Sequence, residues 1–244
     1  MVKSIDVALI PVQRREQTAD AVIVVDLFRA TSTIATLFAR GLRRLTVAGG
    51  IEGARELRDR TGAILFGEVN GMPPGDFDYG NSPVEAATLS LAGRDAVMFT
   101  TNGTAALCGS PPTARVFAGA LANLSAVSAE AARYDIVEIV CAGNGRGDLF
   151  SLEDAVGAAA FVRALQGHSP RAELGDAAAL LAAASRNRSF ERSATKSRHA
   201  RRTTELGLGH DIALAMQRDT SFAVPLIVER GDGWAALTDL GARA

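Results

Sequence analysis

The sequence predicts a three-layer α/β/α fold built on a mostly parallel or mixed central sheet, and three observations predict it. Short β-branched runs recur along most of the chain, apolar on both faces rather than at alternate positions. Amphipathic stretches with helical spacing separate them. Glycine- and asparagine-bearing turns punctuate the two kinds of segment. Strand–helix alternation of this sort builds a sheet with helices on its faces. No repeat and no long linker breaks the 244 residues, so one domain, residues 1–244, is expected.

Residues 21–25 are the clearest strand, ending in Asp26. Residues 30–40 follow as a helix with Gly41 as its C-cap. Residues 45–48 are a short strand. A helix over 51–60 stops near Gly62, and a strand over 63–66 runs into Gly67 and Glu68. A glycine- and proline-rich loop spans 70–81. Ser82-Pro83-Val84-Glu85 then matches a capping box, with Ser82 as N-cap and Glu85 reaching back. A strand over 96–100 leads through Thr101-Asn102-Gly103-Thr104 into another helix. Further along, 116–120 is a strand, 124–134 a helix and 136–141 a strand, followed by a loop over 143–147. Ser151 to Asp154 opens the next helix. Beyond Gln166 the pattern changes. Residues 176–185 form a short Ala/Leu helix, 186–202 are polar and basic, 211–218 are helical, and 224–228 are a last strand paired with the Trp234 segment.

Composition narrows the function. Hydrophobic residues are 48% and charged residues 22%, which is ordinary for a globular chain with a sizeable core. The net charge of -1 supplies no field that draws the protein to nucleic acid or to a membrane surface. Aromatics at 5% are too few for a base-stacking surface. Cys108 and Cys141 cannot make a disulfide framework or a zinc site. Met1 to Arg15 lacks the apolar core of a signal peptide, and no apolar run reaches the ~18 residues of a membrane span. A cytoplasmic protein without nucleic-acid or membrane partners is expected, with a homodimer as the commonest assembly.

In an open α/β sheet, ligands lie beyond the carboxyl ends of the strands. Those ends carry Asp26 with Arg29, Glu68, the turn Thr101 to Thr104, Asn123 and the loop after Cys141. Carboxylates are ligands that magnesium prefers. An arginine offers forked donors to phosphate or carboxylate. A Thr-Asn-Gly-Thr turn supplies hydroxyls and backbone N–H groups. Together they describe an anion site containing a cation. Each residue alone also has a purely structural explanation: Asp26, Ser82 and Ser151 as helix caps, Glu68 as a solvated loop acid, Cys141 as a small core residue. Their coincidence at successive strand ends is what those explanations leave unaccounted for. The run Arg186, Arg188, Arg192, Lys196, Arg198, Arg201 and Arg202 is open to three readings: a nucleic-acid patch, a solvated helix face, or a source of one or two residues, such as Arg198 and His199, for an anionic substrate.

Several phosphate chemistries are excluded by motif. No Walker-type loop occurs, and Gly143, Gly145 and Gly147 miss the dinucleotide fingerprint by one place. Four residues separate Cys141 from Arg146, where cysteine-based phosphatases need five. Two places after Asp26 stands Phe28, where haloacid-dehalogenase-type phosphatases have a second Asp. No Gly-x-Ser-x-Gly elbow is present.

Taken in order, the segments resemble one family. Asp26-Leu27-Phe28-Arg29-Ala30-Thr31-Ser32-Thr33, Gly67-Glu68, Gly80-Asn81-Ser82-Pro83-Val84-Glu85, Thr100 to Thr104, Asn123, Cys141-Ala142-Gly143, Glu153-Asp154, Ser197-Arg198-His199, Leu206-Gly207 and Asp211 are similar to blocks of the 2-phosphosulfolactate phosphatase family. The resemblance runs from about Val22 to Pro225; where the family commonly has glycine after the histidine, this chain has Ala200. It implies a Mg2+-dependent phosphatase that cleaves a small anionic phosphoester, 2-phospho-3-sulfolactate, to sulfolactate and phosphate, a step toward coenzyme M. On that reading Asp26, Arg29 and Glu68 carry the reaction. Asp26, Glu68 and Asp154 hold the metal, with Glu153 as alternate. Arg29 and the turn Thr101, Asn102, Gly103, Thr104 bind the phosphoryl group, and Thr31 and Ser32 are further substrate-binding residues. Asn81, Ser82, Asn123, Arg198 and His199 take the carboxylate, the sulfonate or the leaving oxygen. Attack by water or by an enzyme nucleophile is left open. The alternatives are a non-catalytic small-anion sensor and a phosphatase of a different carboxylated phosphoester.

Overall fold

The computed structural model describes residues 1–14 and 19–241; Arg15, the end of the N-terminal stretch read for a signal peptide, lies outside them. The strands are β1 (Ser4–Ala8), β2 (Ala21–Val25), β3 (Arg44–Ala48), β4 (Ile64–Gly67), β5 (Asp95–Phe99), β6 (Arg115–Gly119), β7 (Ile136–Cys141), β8 (Glu173–Leu174), β9 (Pro225–Gly231) and β10 (Trp234–Asp239). The helices are α1 (Ala30–Ala39), α2 (Ile51–Thr61), α3 (Pro83–Ala87), α4 (Gly103–Cys108), α5 (Leu124–Ala131), α6 (Leu152–His168), α7 (Asp176–Ala184), α8 (Arg188–Ser193), α9 (Arg198–Glu205) and α10 (Gly209–Ala215).

Among the described residues one ten-stranded sheet runs in the order β4-β5-β3-β10-β9-β6-β2-β7-β1-β8. Two parallel blocks, β4-β5-β3 and β6-β2-β7-β1-β8, are joined by the antiparallel hairpin β9–β10 in the middle of the sheet. The sheet is therefore mixed, and the C-terminal strands sit at its centre. The strand β1 falls in a segment to which the sequence reading assigned no element.

Burial explains why β2 is apolar throughout. Val22 and Val24 pack on one face with Ile34, Leu37 and Leu107 of α1 and α4, while Ala21, Ile23 and Val25 pack on the other with Val127, Phe161 and Val162 of α5 and α6. The smaller block repeats this, with Leu45, Val47 and Met98 facing α1 and α4, and Val97 and Leu65 in a separate cluster with Ala54 and Leu57 of α2. Three layers result, with α1 and α4 in front of both blocks and different helices behind each.

The hairpin makes the two blocks run in opposite senses. Strand twist of about 20–25° per neighbouring pair accumulates over the five pairings from β5 to β2 to on the order of 100°. α4 packs on both β2 and β3, spanning the two blocks.

Candidate active site

Asp26, Glu68 and the Thr101-Asn102 turn, 76 residues apart in sequence at the extremes, meet on one polar cavity of about 280 Å³. Arg29, Asn70, Asn81, Asn144, His199, Arg202 and Thr203 complete its polar lining, and Phe28 and Leu206 contribute apolar surface. Each strand end delivers its residue through local bonding that the sequence specifies.

After β2 the chain turns through a cis Phe28–Arg29 peptide into α1. The Thr31 hydroxyl donates to the Asp26 carbonyl at 2.9 Å and accepts the Asp26 N–H at 3.1 Å. Ser32 Oγ donates to the Leu27 carbonyl at 2.9 Å. These two hydroxyls fix the turn from behind and do not line the cavity, although the sequence reading gave them to substrate. The Asp26 carboxylate accepts the Ala30 N–H at 3.3 Å through Oδ1 and faces the cavity. Burial pushes its carboxyl up to about 6. The His199 imidazole and the Ala30 N–H pull it down less strongly, and Glu68 and Glu153 push the same way as burial.

Glu68, at the end of β4, accepts the Thr101 N–H at 2.7 Å through one oxygen and the Gly71 N–H at 2.6 Å through the other. It clamps two loops to the cavity floor while presenting its carboxylate to the cavity. Gly71 must be glycine for this: its φ is +95°, and its carbonyl also accepts from Arg29 Nη2 at 2.8 Å. Gly103 has a steric reason instead. A Cβ there would stand 2.6 Å from Asp26 Oδ2 and 2.5 Å from Ala30 Cβ, so the turn approaches Asp26 only without a side chain. Thr104 bonds reciprocally with Thr100, closing the turn, and Asn102 Oδ1 accepts the Arg146 N–H at 2.8 Å, tying in the 143–147 loop.

Arg29 is 4% exposed and donates to Asp211 Oδ2 at 2.9 Å. The other oxygen of Asp211 accepts from Ser82 Oγ at 2.5 Å. Ser82 thus serves as the α3 N-cap, accepting the Glu85 N–H at 3.1 Å, and as a support for the arginine's partner, without lining the cavity. Glu85 reaches back to the Gly80 N–H at 2.9 Å rather than to the N–H of Ser82, a small departure from the expected capping box. Asn81, 4% exposed, leaves its Oδ1 without a hydrogen-bond partner while lining the cavity.

The two acids that open α6 point to different tasks. Asp154 accepts the Leu27 N–H at 2.9 Å and the Gly143 N–H at 3.0 Å, one on each oxygen, and does not line the cavity. Burial, with Asp26 and Glu153 nearby, pushes its carboxyl well above the usual range. Glu153, 1% exposed, bonds through Oε1 to His199 Nδ1 at 3.0 Å. Burial would raise Glu153, but the hydrogen bond and charge of His199, with hydrogen bonds from the backbone and Ser197, together hold the carboxyl low. Burial would lower His199, but the hydrogen bond and charge of Glu153, with the charge of Asp26, together raise it. Asn123 is elsewhere: its amide accepts the Ala120 N–H at 2.8 Å and donates to the carbonyls of Ala118 and Ala223, locking β6 to the segment before β9. Cys141 is fully buried, a core residue.

Sequence reasoning missed Asp211 as a site residue, as well as Arg202, Asn70, Asn144 and Thr203. The signal for Arg202 was present: His199, Arg202, Thr203 and Leu206 all line the cavity and recur at three- and four-residue spacing on one face of α9. Arg198, on a neighbouring face, lines an adjoining outer groove instead.

The donor set suits a hard divalent cation. Among the described residues no three His, Cys, Asp or Glu side chains are placed to enclose a metal by themselves. Magnesium is usually held by one or two carboxylates and completed by water and substrate phosphate, and Asp26 and Glu68 face the cavity as such a pair. No helix among the described residues is long and apolar enough to cross a membrane.

The family model for 2-phosphosulpholactate phosphatase matches residues 8–230. A probable 2-phosphosulfolactate phosphatase of Carboxydothermus hydrogenoformans is 32% identical over 222 residues, covering 91% of this chain and 92% of the relative. Relatives with the same description from Thermotoga maritima and Deinococcus radiodurans are each 35% identical, covering 84% and 87% of this chain and 88% and 90% of their own lengths.

Proposed function

The chain belongs to the 2-phosphosulfolactate phosphatase family, and from that premise we propose that it is a magnesium-dependent phosphoric monoester hydrolase converting 2-phospho-3-sulfolactate to sulfolactate and phosphate. The observation that carries this reading is the convergence of Asp26, Glu68, Arg29 and His199 on one cavity from four distant segments. Two carboxylates, a guanidinium and an imidazole around one small space match the needs of phosphoryl transfer, which rests on positioning and charge.

Asp26 and Glu68 would hold magnesium, which when bound withdraws charge from a phosphoryl oxygen as the P–O bond breaks. Arg29 keeps N–H groups beyond those given to Asp211 and Gly71, and these can hold phosphoryl oxygens. His199, oriented by Glu153, can give a proton to the leaving oxygen. Glu68 and Asn102 hold the loops of the floor in register through backbone N–H groups. Asp154 keeps the turn after Asp26 joined to the turn after β7. Attack by water, activated at a carboxylate, is the simplest chemistry these groups support.

Cys108 and Cys141 are both free thiols, which suits a reducing compartment, so the proposed location is the cytoplasm. The proposed assembly is a homodimer. The product sulfolactate would serve a route to coenzyme M.

The test is phosphate release from a panel of small phosphorylated hydroxy acids, with magnesium and with a chelator. The reading expects release from 2-phospho-3-sulfolactate that stops when the metal is removed. Tight binding of that ester with no release at any metal concentration would favour a small-anion sensor.

A further inference from the structure

The cavity is not closed on its outer side. Asn144, Gly145, His199 and Arg202 form a wall shared with a second, larger groove of about 780 Å³. The far side of that groove has two characters. One is basic, from Arg198 and Arg201 of α9. The other is apolar, from Leu149 and Phe150, which are 58% and 54% exposed.

The cations here differ from those of the inner site. Among the described residues neither Arg198 nor Arg202 has an ion-pair partner, whereas Arg29 is bound to Asp211. Glu153, the buried acid on the groove, is engaged by His199. Glu205 is the remaining acid on its lining. An organic anion entering the groove would therefore meet more free positive charge than negative, beside an apolar wall. The inner cavity, at about 280 Å³, lies at the small end of ligand-site sizes, and the groove is more than twice as large.

We propose that this outer groove is the subsite for the end of the substrate remote from the phosphate. Arg202 stands at the junction and reads a second anionic group there, Arg198 supports the same field, and Leu149 and Phe150 admit an apolar body between the two anions. The chain then accepts phosphomonoesters of 2-hydroxy acids longer than three carbons, and prefers those whose far end is anionic. This rests on the phosphatase reading and extends it from one ester to a class.

The test uses the full chain with magnesium and four esters of one series. Their far ends are the methyl of 2-phospholactate, the sulfonate of 2-phospho-3-sulfolactate, the ring of 2-phospho-3-phenyllactate and the carboxylated ring of 2-phospho-3-(4-carboxyphenyl)lactate. The wild type should turn over the carboxyphenyl ester with kcat/KM at least equal to that for 2-phospho-3-sulfolactate. Arg202→Gln should lower the ratio of kcat/KM for each anionic-ended ester over its neutral counterpart by about three- to fivefold, mainly through KM, the size expected for one exposed charge contact. Phe150→Ala should lower the ratio of the phenyl ester over 2-phospholactate by about fivefold. Release of phosphate from 2-phospho-3-sulfolactate with rejection of both ring-bearing esters overturns the subsite and leaves the phosphatase reading standing. So do ratios that neither variant changes. No release from any of the four, with magnesium present, overturns both.

Discussion

On the floor of the cavity Arg29 is 4% exposed and donates to Asp211 and to the Gly71 carbonyl; on the rim Arg202 is exposed and has no ion-pair partner among the described residues. The same contrast holds for their neighbours. Both oxygens of Glu68 accept backbone N–H groups, and Asp26 is fixed through Ala30 and Thr31. The rim is one helix face, α9, with the 143–147 loop opposite. Groups held this firmly are suited to the part of the substrate that never varies, because charge that is already oriented costs little reorganisation when the bond breaks. Groups left mobile and solvated contribute less each, and suit the part that distinguishes one substrate from another.

The largest effect should come from the floor's acid. Asp26→Asn should lower kcat by on the order of a thousandfold, as loss of a central charged group does. The same change should stabilise the metal-free protein at pH 7 by about 1–3 kcal/mol, since the ionised carboxylate there is held against its burial. The sign follows from linkage. A folded-state value of about 6, above the usual carboxylate value, means that ionising Asp26 costs stability. That cost is absent below about pH 4, grows between 4 and 6, and is complete above 6. Urea unfolding of both proteins from pH 4 to 7, with chelator, should show the gap widening upward; a constant gap would mean that burial is not what raises Asp26.

Arg29→Ala comes next. It should lower kcat/KM by about 2 kcal/mol or more and destabilise the fold by about 3 kcal/mol, because Asp211 is left buried without its partner. Adding Asp211→Asn should restore much of the stability and none of the activity. If activity returned with the double variant, Arg29 would be a counter-ion and not part of the reacting floor.

The smallest catalytic effect is expected away from both walls. Asn123→Ala should cost about 1–3 kcal/mol of stability, since it leaves the Ala120 N–H and the Ala118 and Ala223 carbonyls without their partner. Its kcat/KM should stay within about threefold of wild type. A change in substrate preference in that variant would return Asn123 to the binding site and blur the line between floor and scaffold.

Much of the floor was legible in the sequence because its residues sit where strands end. An apolar run that stops at Asp26, or at Gly67-Glu68, announces a carboxylate at the sheet edge. Several expected site residues do not line the cavity, and five of them share one cause. Thr31, Ser32, Ser82, Asn123 and Asp154 are polar, buried and close to the site in sequence, and nothing in a linear pattern distinguishes a hydroxyl that faces a ligand from one that holds a backbone turn. All five are engaged by backbone groups or by Asp211. Arg202 was not singled out from its basic run, nor Asp211 given a role in the site, because no linear pattern shows which residues of the C-terminal region fold over the strand ends.

Hydrophobic patterning by itself determined the alternation of strands and helices, the layering, and the identity of Asp26, Glu68 and the Thr101-Asn102 turn as strand-end groups, because burial of an apolar run dictates where polar residues can begin. Only the tertiary structure decided which of those ends meet. The β9–β10 hairpin enters the middle of the sheet and reverses one block against the other, yet Asp26, Glu68 and Thr101, just beyond β2, β4 and β5, line one cavity. Pairing between strands more than a hundred residues apart is a property of the folded sheet, and so is the division of the cavity's polar groups into those that bond to the protein and those left for a ligand.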